Sequence, residues 1–142
     1  MRIMCGTLLK KGDIENLEKV QKRFTKMIPD VAHLKCPERL KNLKLPTLVY
    51  RRTRGDMIEM FKLITGKYDT KCMPGLKLYS ADVALETRET RGHRYRLKQR
   101  HCTYNIRQQY FINRSIPIWN GLPDSVVSAG TANVFKSRLD KF

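Results

Sequence analysis

Residues 13–28 read DIENLEKVQKRFTKMI, and this stretch decides the fold class. Ile14, Leu17, Val20, Phe24 and Met27 recur every three or four positions, so a helix gathers them on one face. The other face carries Lys19, Lys22, Arg23 and Lys26, with Glu15 to Lys19 and Glu18 to Lys22 spaced as helical ion pairs. Asp13 is the expected N-cap, because its carboxylate can accept from the unpaired N–H groups of a first turn. Pro29 and Asp30 then stop the helix.

Working outward, a second short helix is expected to open at Pro37, with Leu40 and Leu43 as its buried side and Pro46 ending the link after Leu45. A third, from about 47 to 65, turns Leu48, Met57, Ile58, Phe61 and Ile64 towards the first two, and Gly66 terminates it. Residues 13–66 therefore read as a small helical subdomain, preceded by an atypical start at 1–12. Residues 67–92 hold no sustained period, and Pro74 and Gly75 mark them as a linker. Beyond it, Arg94, Arg96, Lys98 and Arg100 alternate with Tyr95, Leu97 and Gln99. That period of two suits a strand with one cationic face, with Tyr104 and Ile106 supplying a second strand.

Residues 108–119 return to helical spacing, with Phe111, Ile112, Ile116 and Trp119 as core candidates and Pro117 expected to kink or shorten the helix. Asn120 and Gly121 end it. Thr131 caps a last helix striped by Val134, Phe135 and Leu139. The fold class is thus mainly α: a small helical subdomain plus a C-terminal helical piece, 93–142, that includes a short two-stranded β element.

The chain has 142 residues, with 29 Lys and Arg against 13 Asp and Glu, giving +16 at neutral pH. Such an excess repels itself unless a polyanion neutralises it, so nucleic acid is the leading partner class. Residues 88–107 concentrate the signal, holding seven Arg or Lys and one acid, Glu89, with Tyr95 and Tyr104 interleaved. Guanidinium groups along one face can follow a phosphate backbone, and aromatic rings can stack on unpaired bases. Four cysteines without paired spacing suggest reduced thiols and an intracellular protein, nuclear or cytoplasmic. The apolar run before Lys10 falls well short of a span of ~20 residues, so no membrane insertion is expected.

A polymerase needs clustered aspartates to hold two metal ions, and no two aspartates are adjacent in this chain. Catalysis by the chain itself is not expected. His33 with Cys36, and His101 with Cys102, make a zinc set imaginable, but adjacent residues of a strand point to opposite sides. Neither a metal nor a cofactor is expected.

Several strings resemble one family. They are DIENLEKVQKRFTKMIP, ERLKNLKLPTLVYRRTRGDMIEMFKLITGKYD, TRGHRYRLKQR and FINRSIPIWNGLPDSVVSAGTANVFKSRLDKF. In this order, from about Lys10 to Phe142, they resemble the C-terminal thumb and post-thumb region of non-LTR (LINE, jockey-type) retrotransposon reverse transcriptases. The resemblance implies an upstream endonuclease and catalytic palm, with target-primed reverse transcription as the activity. This segment would then grip template and primer. Lys22, Lys26, Arg51, Arg52 and Arg54, and with them Arg91, Arg94, Arg96, Lys98 and Arg100, become phosphate-contact candidates on their charge. The implied partners are RNA, DNA or an RNA/DNA hybrid, and the catalytic part of the polymerase. Two alternatives stay open: a piece of an active split reverse transcriptase, and an inert translated remnant.

Overall fold

The periodicity of residues 13–28 is realised as α1 (Lys11–Lys26), two residues earlier at each end than expected. Asp13 consequently lies inside the first turn rather than at the cap, where its charge still complements the positive helix end, while Arg23 and Lys26 complement the other. After a 3-10 turn (Pro29–Val31) come α2 (Cys36–Asn42), α3 (Leu48–Ile64), α4 (Asn105–Gln108), α5 (Phe111–Asn120), α6 (Asp124–Val127) and α7 (Ala132–Leu139). The computed structural model describes residues 11–68, 76–79 and 92–142. Arg91, most of the 67–92 linker and residues 1–10 of the atypical start lie outside them. The architecture is mainly helical, as the spacing predicts.

Two compact units divide the chain between Thr53 and Arg54, inside α3 and not after Gly66. In the first unit, α2 begins with Pro37 in its first turn and the Glu38 carboxylate accepting from the Lys35 N–H at 3.3 Å. The start of α3 is capped twice: Thr47 Oγ1 accepts from the Tyr50 N–H at 3.2 Å, and Glu18 from the Val49 N–H at 3.1 Å. Arg39, 4% exposed, donates to the carbonyls of Leu34 (2.6 Å) and Lys22 (3.4 Å) and to Thr25 Oγ1 (3.4 Å).

Polar contacts thus carry much of this unit. Val31 is its one buried apolar side chain among the described residues, and the α1 stripe expected to be core is open to water: Phe24 is 67% and Met27 77% exposed. Leu17 and Val20 are also exposed.

In the second unit, Met57, Ile58, Met60 and Phe61 of α3 pack with Leu97, Ile116, Trp119, Leu122, Val126, Val127, Ala129 and Phe135. Of the α3 residues expected to face the first two helices, Met57, Ile58 and Phe61 are therefore core to the second unit and Ile64 packs against that core, while Leu48 belongs to the first unit. Trp119 and Phe135, both fully buried, give this face of α3 two large aromatic partners. Phe61 stacks on Phe135 with ring centroids 4.4 Å apart, and Trp119 lies 5.9 Å from Phe135.

Two helices end alike. After α2 the Leu45 N–H bonds the Leu40 carbonyl (2.9 Å) and the Lys44 N–H that of Lys41 (3.1 Å); after α3, Lys67 bonds Lys62 (3.1 Å) and Gly66 bonds Leu63 (3.4 Å). Both are Schellman motifs with a left-handed residue, Gly66 at φ 68° in one and Lys44 at φ 52° in the other. The helix expected over 108–119 is split, because Tyr110 is extended at ψ 143°. Pro117 sits inside α5 without ending it. Thr131 caps α7 as expected, its side chain accepting from the Val134 N–H at 3.3 Å, although Val134 is exposed and Phe135 carries the burial.

Among the described residues the expected strand pair is present only as one antiparallel bridge, and its partner differs. Leu97 pairs with Leu78, flanked by Tyr79 N–H to Arg96 carbonyl (3.0 Å) and Lys98 N–H to Lys77 carbonyl (2.9 Å). Ile106 lies in α4 and Tyr104 caps it, so neither forms the expected second strand.

Candidate nucleic-acid interface

The backbone of the basic segment is tied to the C-terminal end of α5. Leu97 is the anchor, buried to 1% in the core. Its N–H donates to Asn120 Oδ1 and its carbonyl accepts from Asn120 Nδ2, both at 2.9 Å, so one side-chain amide occupies the two groups a neighbouring strand would use. Trp119 Nε1 donates to the Tyr95 carbonyl at 2.9 Å. His93, buried against the Trp119 ring edge, lies 3.0 Å through Nε2 from the Trp119 carbonyl. A carbonyl only accepts, so Nε2 carries the proton. Four side-chain bonds therefore clasp residues 93–97 to the C-terminal end of α5.

Gly92 makes the entry to this clasp. Its φ of 132° is open to glycine, and a Cβ there would come within 2.9 Å of Arg96 Cδ. From this frame Arg94, Lys98 and Arg100 reach the exposed surface, while Arg96 is half-buried. The Arg94 guanidinium lies 4.9 Å from the centre of the Tyr95 ring, and that of Arg96 5.9 Å from the Tyr79 ring. The expected alternation is replaced by a turn at 94–95 and extended chain around Leu97.

The other candidates fall differently. Lys22, Lys26 and Arg51 are exposed and Arg52 half-buried, and all four belong to the first unit. Arg54 belongs to the second, where it grips Asp140 through Nε (2.5 Å) and Nη2 (2.8 Å). That hydrogen bond first of all, and the guanidinium charge with it, holds the Asp140 carboxyl below its usual range. Much of the charge of Arg54 is thereby answered within the chain. Arg91 lies outside the described residues.

A second acidic cluster is similarly engaged. Burial pushes the Glu59 carboxyl up, but hydrogen bonds from Lys62 and Tyr68 and the charges of Lys62 and Lys136 together take it below its usual range. The Glu59 contact in turn raises both Lys62 and Tyr68. Asp56 is bound to Arg114 through two bonds of 2.9 Å, with side chains only 13% and 15% exposed. Asp140, Glu59 and Asp56 are thus each paired with a basic side chain of the same unit.

Sequence reasoning missed Asn120 and His93 as the scaffold of the segment; a polar residue directly after the one Trp was the available signal. Among the described residues, no three His, Cys, Asp or Glu side chains gather as metal ligands, and Cys36 and Cys102 are free thiols. Among the same residues no helix is long and apolar enough to cross a membrane. The chain has no significant match among protein-family models, curated proteins or solved structures.

Proposed function

We propose that the chain is a non-catalytic, nucleic-acid-binding piece of a non-LTR retrotransposon reverse transcriptase, gripping template and primer through phosphate contacts without base specificity. What carries the reading is the basic segment. No Asp or Glu occurs from Gly92 through Pro123, and Arg94, Lys98 and Arg100 are exposed within or just beyond residues 93–97, whose backbone Asn120 and Trp119 hold. Cations on a fixed frame lose less freedom on meeting a polyanion than cations on a loose chain. The order of anchor strings given above supports the family.

The test is the affinity of the purified chain for an RNA/DNA hybrid at low and physiological salt, beside an unrelated protein of equal charge. Binding that outlasts the control supports the grip. Binding no better than the control leaves an inert remnant.

A second reading, one piece of a working split polymerase, is favoured by the exposed stripe of α1, whose Phe24 and Met27 an additional surface would cover. Primer extension by the isolated chain supports it; absence of extension with intact hybrid binding favours the first reading.

A further inference from the structure

We propose that Tyr104 and Tyr110, at the two ends of α4, are stacking platforms for unpaired bases, so that single-stranded nucleic acid is the preferred ligand of the basic segment. The inference rests on the phosphate-binding reading above and adds the form of the strand.

Helix α4 buries none of its residues. Tyr104 is 72%, Ile106 66% and Tyr110 63% exposed, three large apolar side chains within seven residues. A short helix normally forms because it covers something, and this one does not. It is held instead by polar bonds to its backbone and flanks. Gln108 Nε2 donates to the Cys102 carbonyl (2.9 Å), Asn113 Nδ2 to the Arg107 carbonyl (2.7 Å) and Arg114 Nη1 to the Gln109 carbonyl (2.9 Å). Arg114 is itself fixed by Asp56. Both tyrosines stand at cap positions whose side chains make no capping bond, so neither ring is needed to form its helix.

The surroundings select the occupant. Arg100 and Arg107 are exposed beside the rings in sequence, within the acid-free run from Gly92 through Pro123. An apolar tip set among cations complements a ligand that is flat, apolar in face and anionic in backbone. An unpaired nucleotide has those properties, whereas a duplex hides its base faces inside the stack. Tyr95, the other ring of the segment, is half-buried against the core beneath Arg94, which leaves the stacking role to Tyr104 and Tyr110.

The experiment is fluorescence anisotropy of the full chain with labelled oligouridylate, with oligothymidylate, and with a duplex of the same number of phosphates. Tyr104→Ala with Tyr110→Ala is expected to bind both single strands roughly 30-fold more weakly, about fivefold per ring. Duplex affinity should stay within about twofold and the salt slope should not change, since no phosphate contact is lost. Tyr104→Phe with Tyr110→Phe should keep the single-strand affinity. Unchanged strand binding in the alanine variant, or an equal loss on duplex, overturns the stacking proposal. Wild-type binding no better than an equal-charge control on every ligand overturns the phosphate reading instead. Thermal melts matching wild type establish that the variants fold.

Discussion

Removing Asp56 should destabilise the second unit well beyond the ordinary surface substitution, and the structure supplies the size. Its carboxylate meets the Arg114 guanidinium in two bonds of 2.9 Å, with both side chains at least 85% removed from water. Two unit charges about 4 Å apart attract by ~4 kcal/mol at an effective dielectric of about 20, and desolvation offsets much of that. Deleting one partner leaves the other charge desolvated without its mate, which costs about 3–5 kcal/mol at a fully buried pair. The residual exposure here lowers the expectation for Asp56→Ala to about 2–3 kcal/mol. In a unit of this size each 1 kcal/mol shifts Tm by roughly 4–8 °C, so the loss should reach ~8–24 °C. Arg114→Ala should cost a similar amount. The double variant should be less damaged than the two losses added, with a coupling of about 1–3 kcal/mol. The assay is urea unfolding followed by the fluorescence of Trp119, the one tryptophan in the chain. Strict additivity, or single losses below about 0.5 kcal/mol, would refute the account of the pair.

Three further outcomes follow from local geometry. Lys44→Gly should stabilise the first unit by roughly 1 kcal/mol, because a left-handed residue with a Cβ is replaced at the Schellman position where α3 already has Gly66; a loss of stability in thermal melts would contradict this. Gly92→Ala should cost about 1–3 kcal/mol through its positive φ, since the flexible Arg96 side chain can move aside; a neutral melt would contradict it. Stability should also fall at both pH extremes. Glu59 and Asp140 are lowered in the fold, so their contribution is present above the ordinary carboxylate values and lost as acid passes the lowered ones. Tyr68 and Lys62 are raised, so theirs is present below their ordinary values and lost as pH climbs through the raised ones. Tyr68→Phe should flatten the alkaline limb of a Tm-against-pH curve, and an unchanged limb would remove Tyr68 from that role.

The longer helices were legible in the sequence because the signals are local: three- to four-residue apolar spacing, Pro37 in a first turn, Thr131 as a cap, Gly66 past an end; α4, four residues with none buried, carried no such signal and read as a strand. Partners were not legible. Met57, Ile58 and Phe61 show a core face, but only distant Trp119 and Phe135 decide that this face serves the C-terminal half. The basic segment failed as a regular strand for the same reason. Alternation of Arg and Tyr fits a pleat, yet the Leu97 backbone is satisfied by the Asn120 amide, more than twenty residues away, and the short extended run around Leu78 bonds its neighbours Arg96 and Lys98. Charge at the candidate site was fully legible; the pairing of Arg54 with Asp140 across 86 residues was not.

The measurement that bears most directly on the central claim is the salt dependence of hybrid binding by the wild-type chain and by a variant carrying Ser at Arg94, Arg96, Lys98 and Arg100. Each phosphate contact contributes about 0.7–0.9 to the slope of log affinity against log salt. The account predicts a steep wild-type slope that flattens by about 3 in the variant, while the thermal melt shows that the clasp around Leu97 survives. A slope unchanged by the four substitutions would contradict it and remove residues 94–100 from the binding face.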